Sequence, residues 1–216
     1  MVRVGLTGGI AAGKSTISAH CRQRGIRVID YDQLARDVTE PGSAGLSALI
    51  GLFGNDILLP DGSLNRKWMA EHVFAGDHAQ ENRHKLESVI HPLIFQRARM
   101  LDRQWSSSSP QQSIIIHDIP LLVESLPELK KYNIAPDYVI TVEADDQTRI
   151  NRMVQTRGMS RRQAEERIQA QLPQKVRREC ADYCISSDQP LDRMVADCDR
   201  ILDSIRGRQG KCSVRE

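Results

Sequence analysis

Residues 5–16 read GLTGGIAAGKST, and no other stretch restricts the possible folds of this chain as much. Gly8, Gly9, Ile10, Ala11, Ala12, Gly13, Lys14 and Ser15 fit the pattern GxxxxGK[ST] without a gap. An apolar run over residues 1–7 leads into them and reads as a strand. Residues 14–24 follow, with Ile17 and Cys21 at helical spacing. Strand, loop and helix in this order are what the chemistry of the pattern requires. N–H groups of a glycine-rich loop and of a helix N-terminus converge on phosphate oxygens, while a lysine adds positive charge toward the β and γ phosphates. A serine hydroxyl at the helix start is a ligand for Mg²⁺. We therefore expect residues 8–16, from Gly8 to the Ser15 and Thr16 pair, to cradle a nucleotide. The plain alternative is a tight strand-to-helix turn.

Further short β-branched runs occur at residues 26–30, 113–118, 137–142 and, more weakly, 182–186, separated by helical or loop sequence. That alternation predicts an α/β fold with a buried parallel sheet of five strands. Residues 31–112 form a long insertion. Within it, 42–54 and 65–74 carry apolar residues at helical spacing, and 81–105 reads as a long helix bent or interrupted near Pro92, which lacks the N–H for a helical bond. Residues 106–113 (SSSSPQQS) read as a loop. Residues 145–171 are polar and contain Arg149, Arg152, Arg157, Arg161, Arg162 and Arg167 in a helix, turn, helix pattern, for which a solvated charged face is the default reading. Pro190 opens a closing helix through residue 202, and 207–216 look disordered.

A chain of 216 residues with 40% hydrophobic content is enough for one substantial core. Thirty Lys and Arg against 28 Asp and Glu leave a formal charge of +2, which gives little reason to invoke nucleic acid or an anionic membrane. The start lacks the pattern of a secretory signal, and no apolar run approaches the roughly 18 residues of a membrane span, so a cytoplasmic protein is expected. Five cysteines, Cys21, Cys180, Cys184, Cys198 and Cys212, form no CxxC pair; their odd number suits reduced thiols, and no zinc set is complete.

A nucleotide loop does not separate an enzyme from a switch. No NKxD tetrapeptide of the guanine-binding switches is present, and motor ATPases need longer chains, so a compact kinase leads. Asp30 and Asp32 close the second strand run, and C-terminal strand ends face the ligand crevice in such sheets. A carboxylate there can take a proton from an attacking hydroxyl, and aspartate is also a good helix N-cap. We expect one of the two to be structural and the other catalytic. Asp118 ends the run IIIHD, where a second carboxylate could order the water shell of Mg²⁺, or else cap the following turn.

Four stretches together resemble the dephospho-CoA kinase family: GLTGGIAAGKST, VIDYDQLARDVTEPG, the pair DGSLNR and IHPLI, and DIPLLVE. The segment RINRMVQTRGMSRRQAEERIQAQ followed by ADYCIS resembles the lid and last strand of that family, so the likeness runs to about residue 202. Only the first stretch is common to P-loop proteins at large. The resemblance implies a three-layer P-loop NTPase fold in a single domain over 1–207. Its nucleotide-binding core would be residues 1–30, 113–145 and 172–207, its acceptor-binding helical insertion 31–112 and its helical lid 146–171, with 208–216 a disordered tail. It implies ATP as phosphoryl donor, Mg²⁺, and transfer to the ribose 3′-hydroxyl of dephospho-CoA in the last step of coenzyme A synthesis. Asp32 corresponds to the general base, and Lys14 and Ser15 keep their phosphate and metal roles, with Asp118 beside the metal. Arg66, His91 and the turn of Asp118 and Leu121 fall where the family holds the acceptor, and Arg152 and Arg157 match lid arginines that close on the phosphates. The expected partner is the small-molecule substrate, in a monomer or weak homo-oligomer. Ala11 stands where many relatives have glycine, and ISSDQ (residues 185–189) replaces a more usual asparagine and glycine turn. The rival readings are a nucleoside monophosphate or small-metabolite kinase on the same architecture, and a noncatalytic nucleotide-dependent regulator.

Overall fold

A computed structural model describes residues 1–73, 78–108 and 114–212. The elements begin with β1 (Val2–Gly8), α1 (Lys14–Gln23), β2 (Arg27–Asp30), α2 (Tyr31–Asp37), α3 (Ala44–Phe53), a 3₁₀ turn (Asn55–Ile57), α4 (Arg66–Val73) and α5 (Ala79–Ser108). They continue with β3 (Ile114–Asp118), α6 (Leu122–Lys131), β4 (Tyr138–Glu143), α7 (Asp146–Arg157), α8 (Arg161–Gln169), α9 (Gln174–Glu179), β5 (Tyr183–Ser186) and α10 (Leu191–Cys212). All five expected strands are present, each within a residue or so of the predicted bounds. The chain divides into two compact units, one of Met1–Ile29 with Gln104–Glu216 and one of Asp30–Arg103.

The first unit is built on a five-stranded sheet in the order β2-β3-β1-β4-β5. β1 lies parallel to both β3 and β4, and β4 parallel to β5, with Leu6 opposite Asp118 on one side and Ile140 on the other. Every residue of β3 is buried, as are all but the first of β4, which is why these segments read as continuous apolar runs rather than alternating ones. Val4, Leu6, Ile116 and Ile140 of the sheet pack with Ile17 and Cys21 of α1 and with Met194, Cys198, Leu202 and Ile205 of α10. That core fixes where β1 ends and α1 begins, and so where the glycine loop must lie.

The second unit is helical. Ser43 caps α3 by accepting from the Leu46 N–H at 3.1 Å, and Leu49, Ile57, Met69 and Val73 form its core, with Leu86 and Val89 of α5 packed on. The expected long helix is present and is not interrupted at Pro92: α5 runs for 30 residues. Apolar side chains hold it on both sides of the proline, Leu86 and Val89 before it and buried Ile94, Phe95 and Ala98 after it, so tertiary packing overrides one missing helical bond. Helix α5 also takes Ser106 to Ser108 from the expected loop; Phe74, residues 109–112 and the predicted strand start at Ser113 lie outside the described residues. No proline follows Pro190, and α10 continues to Cys212 instead of closing near residue 202, leaving 213–216 outside the described residues.

β1 terminates at Gly8 against the backbone of β4, and a Cβ at Gly8 would stand 2.4 Å from the Val142 carbonyl oxygen. Because the obstacle is backbone, relief requires the two central strands to part. Gly8→Ala is expected to cost about 3 kcal/mol, the upper end for an overpacked site, and to lower the thermal midpoint by about 6–12 °C; an unchanged midpoint in calorimetry contradicts this packing.

Candidate active site

The glycine loop leaves β1 at Gly8 and enters α1 through Gly13, which is in the left-handed region at φ 97° and carries no side-chain cap. The N–H groups of the first helical turn are therefore not taken by a capping side chain, the condition for binding an anion there. A Cβ at Gly9 would lie 2.8 Å from the guanidinium groups of both Arg149 and Arg177, so a side chain there would require these arginines to shift. Ala11 is also left-handed, at φ 57°. That conformation explains why glycine suits the position, and it costs an alanine roughly 1–2 kcal/mol. The Ala11 methyl packs on the Ile150, Met153 and Ala164 cluster of the arginine-rich helices, which offsets part of that cost.

Lys14, in the first turn of α1, donates through Nζ to the Asp118 carboxylate, which is 3% exposed at the end of β3. The parallel register places Asp118 beside β1, and the turn after it is tied back by Ile119 N–H to Leu6 O at 2.9 Å and Thr7 Oγ1–H to Pro120 O at 3.2 Å. Asp118 is not a helix cap: the N-cap of α6 is Leu121, which is 45% exposed and makes no side-chain cap bond. Ser15 is exposed on the first turn of α1. A cavity of about 400 Å³ opens over this turn, lined by Ala11, Ser15, Thr16, Arg152, Arg157 and Ser187 among others.

The arginine-rich segment is the expected helix, turn, helix, with Gly158 left-handed at φ 62° as the C-cap of α7 and a Ser160 and Gln163 capping box opening α8. Arg161 and Arg162 pair with Glu165 and Glu166 one turn on, a solvated face as expected. Arg149 departs from that reading. It is 2% exposed, and its guanidinium donates to Ile10 O at 2.9 Å, to Gln171 Oε1 at 2.9 Å and to Asp146 Oδ1 at 3.0 Å. Burial, reinforced by the charge of Arg177, pushes the pKa of Arg149 below its usual value. Arg152 donates from Nη1 to Ala11 O at 3.1 Å and to Ser187 Oγ at 2.8 Å, and from Nη2 to Ser187 O at 2.7 Å. Arg157 is exposed at the cavity wall.

Four further residues escape the sequence reading. Glu143, fully buried at the end of β4, receives Arg177 in a two-pronged ion pair at 2.8 and 2.9 Å and the Thr141 hydroxyl at 2.7 Å. Gln171 Oε1 accepts from the Ile10 N–H at 2.8 Å, and Ser187 donates to Ala12 O at 2.5 Å. The glutamate closing the apolar run YVITVE is one signal; Ser187 lies in the ISSDQ turn already singled out, though not for a contact with the loop, and nothing marks Gln171 before the fold brings it there.

In the helical unit, Asp30 caps α2 by accepting from the Gln33 N–H at 3.0 Å. Asp32 stands in the first turn of α2. The ring of Tyr31 meets Phe95 edge-on at 6.0 Å, and Phe95 meets exposed His91 at 6.2 Å, so α2 and the middle of α5 are joined through three rings. Arg66 donates to Thr39 Oγ1 at 3.4 Å.

A parallel α/β sheet that ends a strand in this loop, with the lysine on a buried carboxylate and arginines drawn to the loop carbonyls, defines a P-loop NTPase fold. A family model described as dephospho-CoA kinase matches residues 2–192. The chain is 46% identical over 196 residues to the dephospho-CoA kinase of Bifidobacterium longum, covering 91% of this chain and 92% of that one. It shares the fold of a Thermus thermophilus crystal structure at 28% identity and TM-score 0.73, over 96% of this chain and 97% of that one. The dephospho-CoA kinase of Campylobacter jejuni has the same fold at 22% identity and TM-score 0.60, over 94% and 96% of the two chains. The chain belongs to the dephospho-CoA kinase family.

Removing Arg177 would leave Glu143 charged and unpaired in the interior. Arg177→Leu is expected to destabilise the protein by about 3–5 kcal/mol, lowering the thermal midpoint by at least about 6 °C; a loss under about 1 kcal/mol, measured by denaturant titration, contradicts the pairing.

Proposed function

We propose that this chain transfers the γ-phosphoryl group of ATP to the ribose 3′-hydroxyl of dephospho-CoA, releasing coenzyme A and ADP in the last step of coenzyme A biosynthesis. The observation that carries the reading is the seating of Lys14 on buried Asp118 beside an uncapped helix N-terminus, in a chain of this family. Loop N–H groups and the Lys14 ammonium bind the phosphates, and residues 8–16 supply the cradle. Asp32 takes the 3′-hydroxyl proton onto its carboxylate as the hydroxyl oxygen attacks the γ-phosphorus in line and the bond from phosphorus to the ADP oxygen breaks. The use of Asp30 as a cap supports this division of labour. Arg152 and Arg157 offset charge on the transferring group, and the lid helices exclude water as a competing acceptor. Arg66, His91, Leu121 and the Asp118 turn hold the acceptor.

The residues around Lys14 fit Mg²⁺: the Ser15 hydroxyl and the Asp118 carboxylate are hard oxygen donors, and no group of three His, Cys, Asp or Glu side chains assembles among the described residues. One or two protein oxygens completed by phosphates and water is the arrangement Mg²⁺ favours. When bound, it offsets charge on the β and γ phosphates. Among the described residues no helix is long and apolar enough to cross a membrane. We place the enzyme in the cytoplasm as a monomer or weak homo-oligomer, with no nucleic-acid partner.

ADP release measured with a panel of acceptors tests this function. Release that depends on dephospho-CoA is expected; release with AMP or a small polyol instead sinks it in favour of another P-loop kinase, and none at all in favour of a regulator. Asp32→Asn is expected to lose about 10²- to 10⁴-fold in kcat with ATP affinity within about twofold of wild type. Near-normal turnover would remove Asp32 as the base, and unchanged ATP affinity in Lys14→Ala would remove the loop as the phosphate site.

A further inference from the structure

Three successive carbonyls of the glycine loop are held from the outside. Ile10 O accepts from Arg149 Nε at 2.9 Å, Ala11 O from Arg152 Nη1 at 3.1 Å, and Ala12 O from the Ser187 hydroxyl at 2.5 Å. In a trans peptide the C=O of one residue and the N–H of the next lie in one plane and point in opposite directions. Fixing these carbonyls outward therefore turns the N–H groups of Ala11, Ala12 and Gly13 inward. The Ala12 N–H closes a turn on Gly9 O at 3.0 Å, so the Ala11 and Gly13 amides are the two that the arrangement presents to a ligand.

Ser187 links this row. Its single hydroxyl proton goes to Ala12 O, its oxygen accepts from Arg152 Nη1 at 2.8 Å, and its carbonyl accepts from Arg152 Nη2 at 2.7 Å. The side chain is 3% exposed, and a Cβ at Gly13 would approach its own Cβ within 3.4 Å, so it sits directly behind the helix start. One small side chain on the β5–α10 turn thus orients both a loop peptide and the guanidinium that orients the preceding one.

We propose that Ser187 is a positioning residue for the phosphate donor: by holding Ala12 O it aims the Gly13 amide at the ligand, and through Arg152 on Ala11 O it fixes the preceding peptide, whose Ala12 N–H closes the turn on Gly9 O. This rests on the reading of the loop as the ATP site and adds a residue outside the phosphate-binding motif to it. Ser187→Ala leaves Ala12 O without its donor and Arg152 without one acceptor. Ser187→Cys keeps the shape but has a weak donor, and Ser187→Thr keeps the hydroxyl.

The test is calorimetric titration of the full chain with MgATP in the absence of acceptor, with steady-state kinetics and thermal midpoints on the same samples. Ser187→Ala and Ser187→Cys are expected to raise the Kd and KM for ATP about tenfold, with the KM for dephospho-CoA within about twofold, and Ser187→Thr to restore tight binding. Unchanged ATP affinity in a folded Ala or Cys variant overturns the proposal, as does a lowered thermal midpoint with no change in Kd, or a Thr variant as weak as the Ala variant. Wild-type protein that binds ATP but does not use dephospho-CoA would overturn the proposed function and leave Ser187 in its role. Wild-type protein that does not bind ATP would overturn both.

Discussion

The planarity of the peptide bond is the constraint on which the site depends. A loop of glycines and alanines has few side chains with which to bind anything, so its chemistry lies in the direction of its N–H groups. Those directions are set from behind by partners that are distant in sequence: Arg149 and Arg152 on α7, Gln171 after α8, and Ser187 after β5. The strand register then brings Asp118 beside β1 and within reach of Lys14, so the cradle and its cation are oriented by two independent sets of contacts.

The same contacts concentrate positive charge beneath the loop. Arg149 and Arg177 both approach Gly9, while the buried carboxylate of Glu143 forms its ion pair with Arg177, and the ion-pair partner of Arg149, Asp146, is largely exposed. Burial, with the charge of Arg177 added to it, holds the pKa of Arg149 below its usual value. On the proposed reading of the loop as the ATP site, a bound polyphosphate would offset this positive charge. The left-handed Ala11 is a second strained feature at the same place, held by packing of its methyl against α7 and α8.

The sheet and the loop were legible because each rests on local sequence: apolar strands buried on both faces, a fixed glycine, lysine and serine spacing, and a helix that must follow. Asp30 and Asp32 could be divided only in part, since either can cap a helix and the choice depends on backbone direction at the strand end. Arg149 was hidden among surface arginines that share its composition and differ only in which face of α7 they occupy. The contacts of Gln171 and Ser187 with the loop have no local signature, even though Ser187 lies in the unusual ISSDQ turn, because their partners are backbone atoms more than 160 residues away along the chain. The sequence leaves open whether α5 bends or breaks at Pro92, and the extension of α10 has no local mark, because packing and the absence of a stop outweigh local propensity.

The central claim is that phosphate is delivered to one hydroxyl of one acceptor. It is tested most directly by locating the new phosphate in the product formed from ATP and dephospho-CoA, using phosphorus and carbon NMR. A phosphomonoester coupled to the ribose 3′ carbon is the expected result. A phosphate at another position, or inorganic phosphate with the acceptor unchanged, would contradict it.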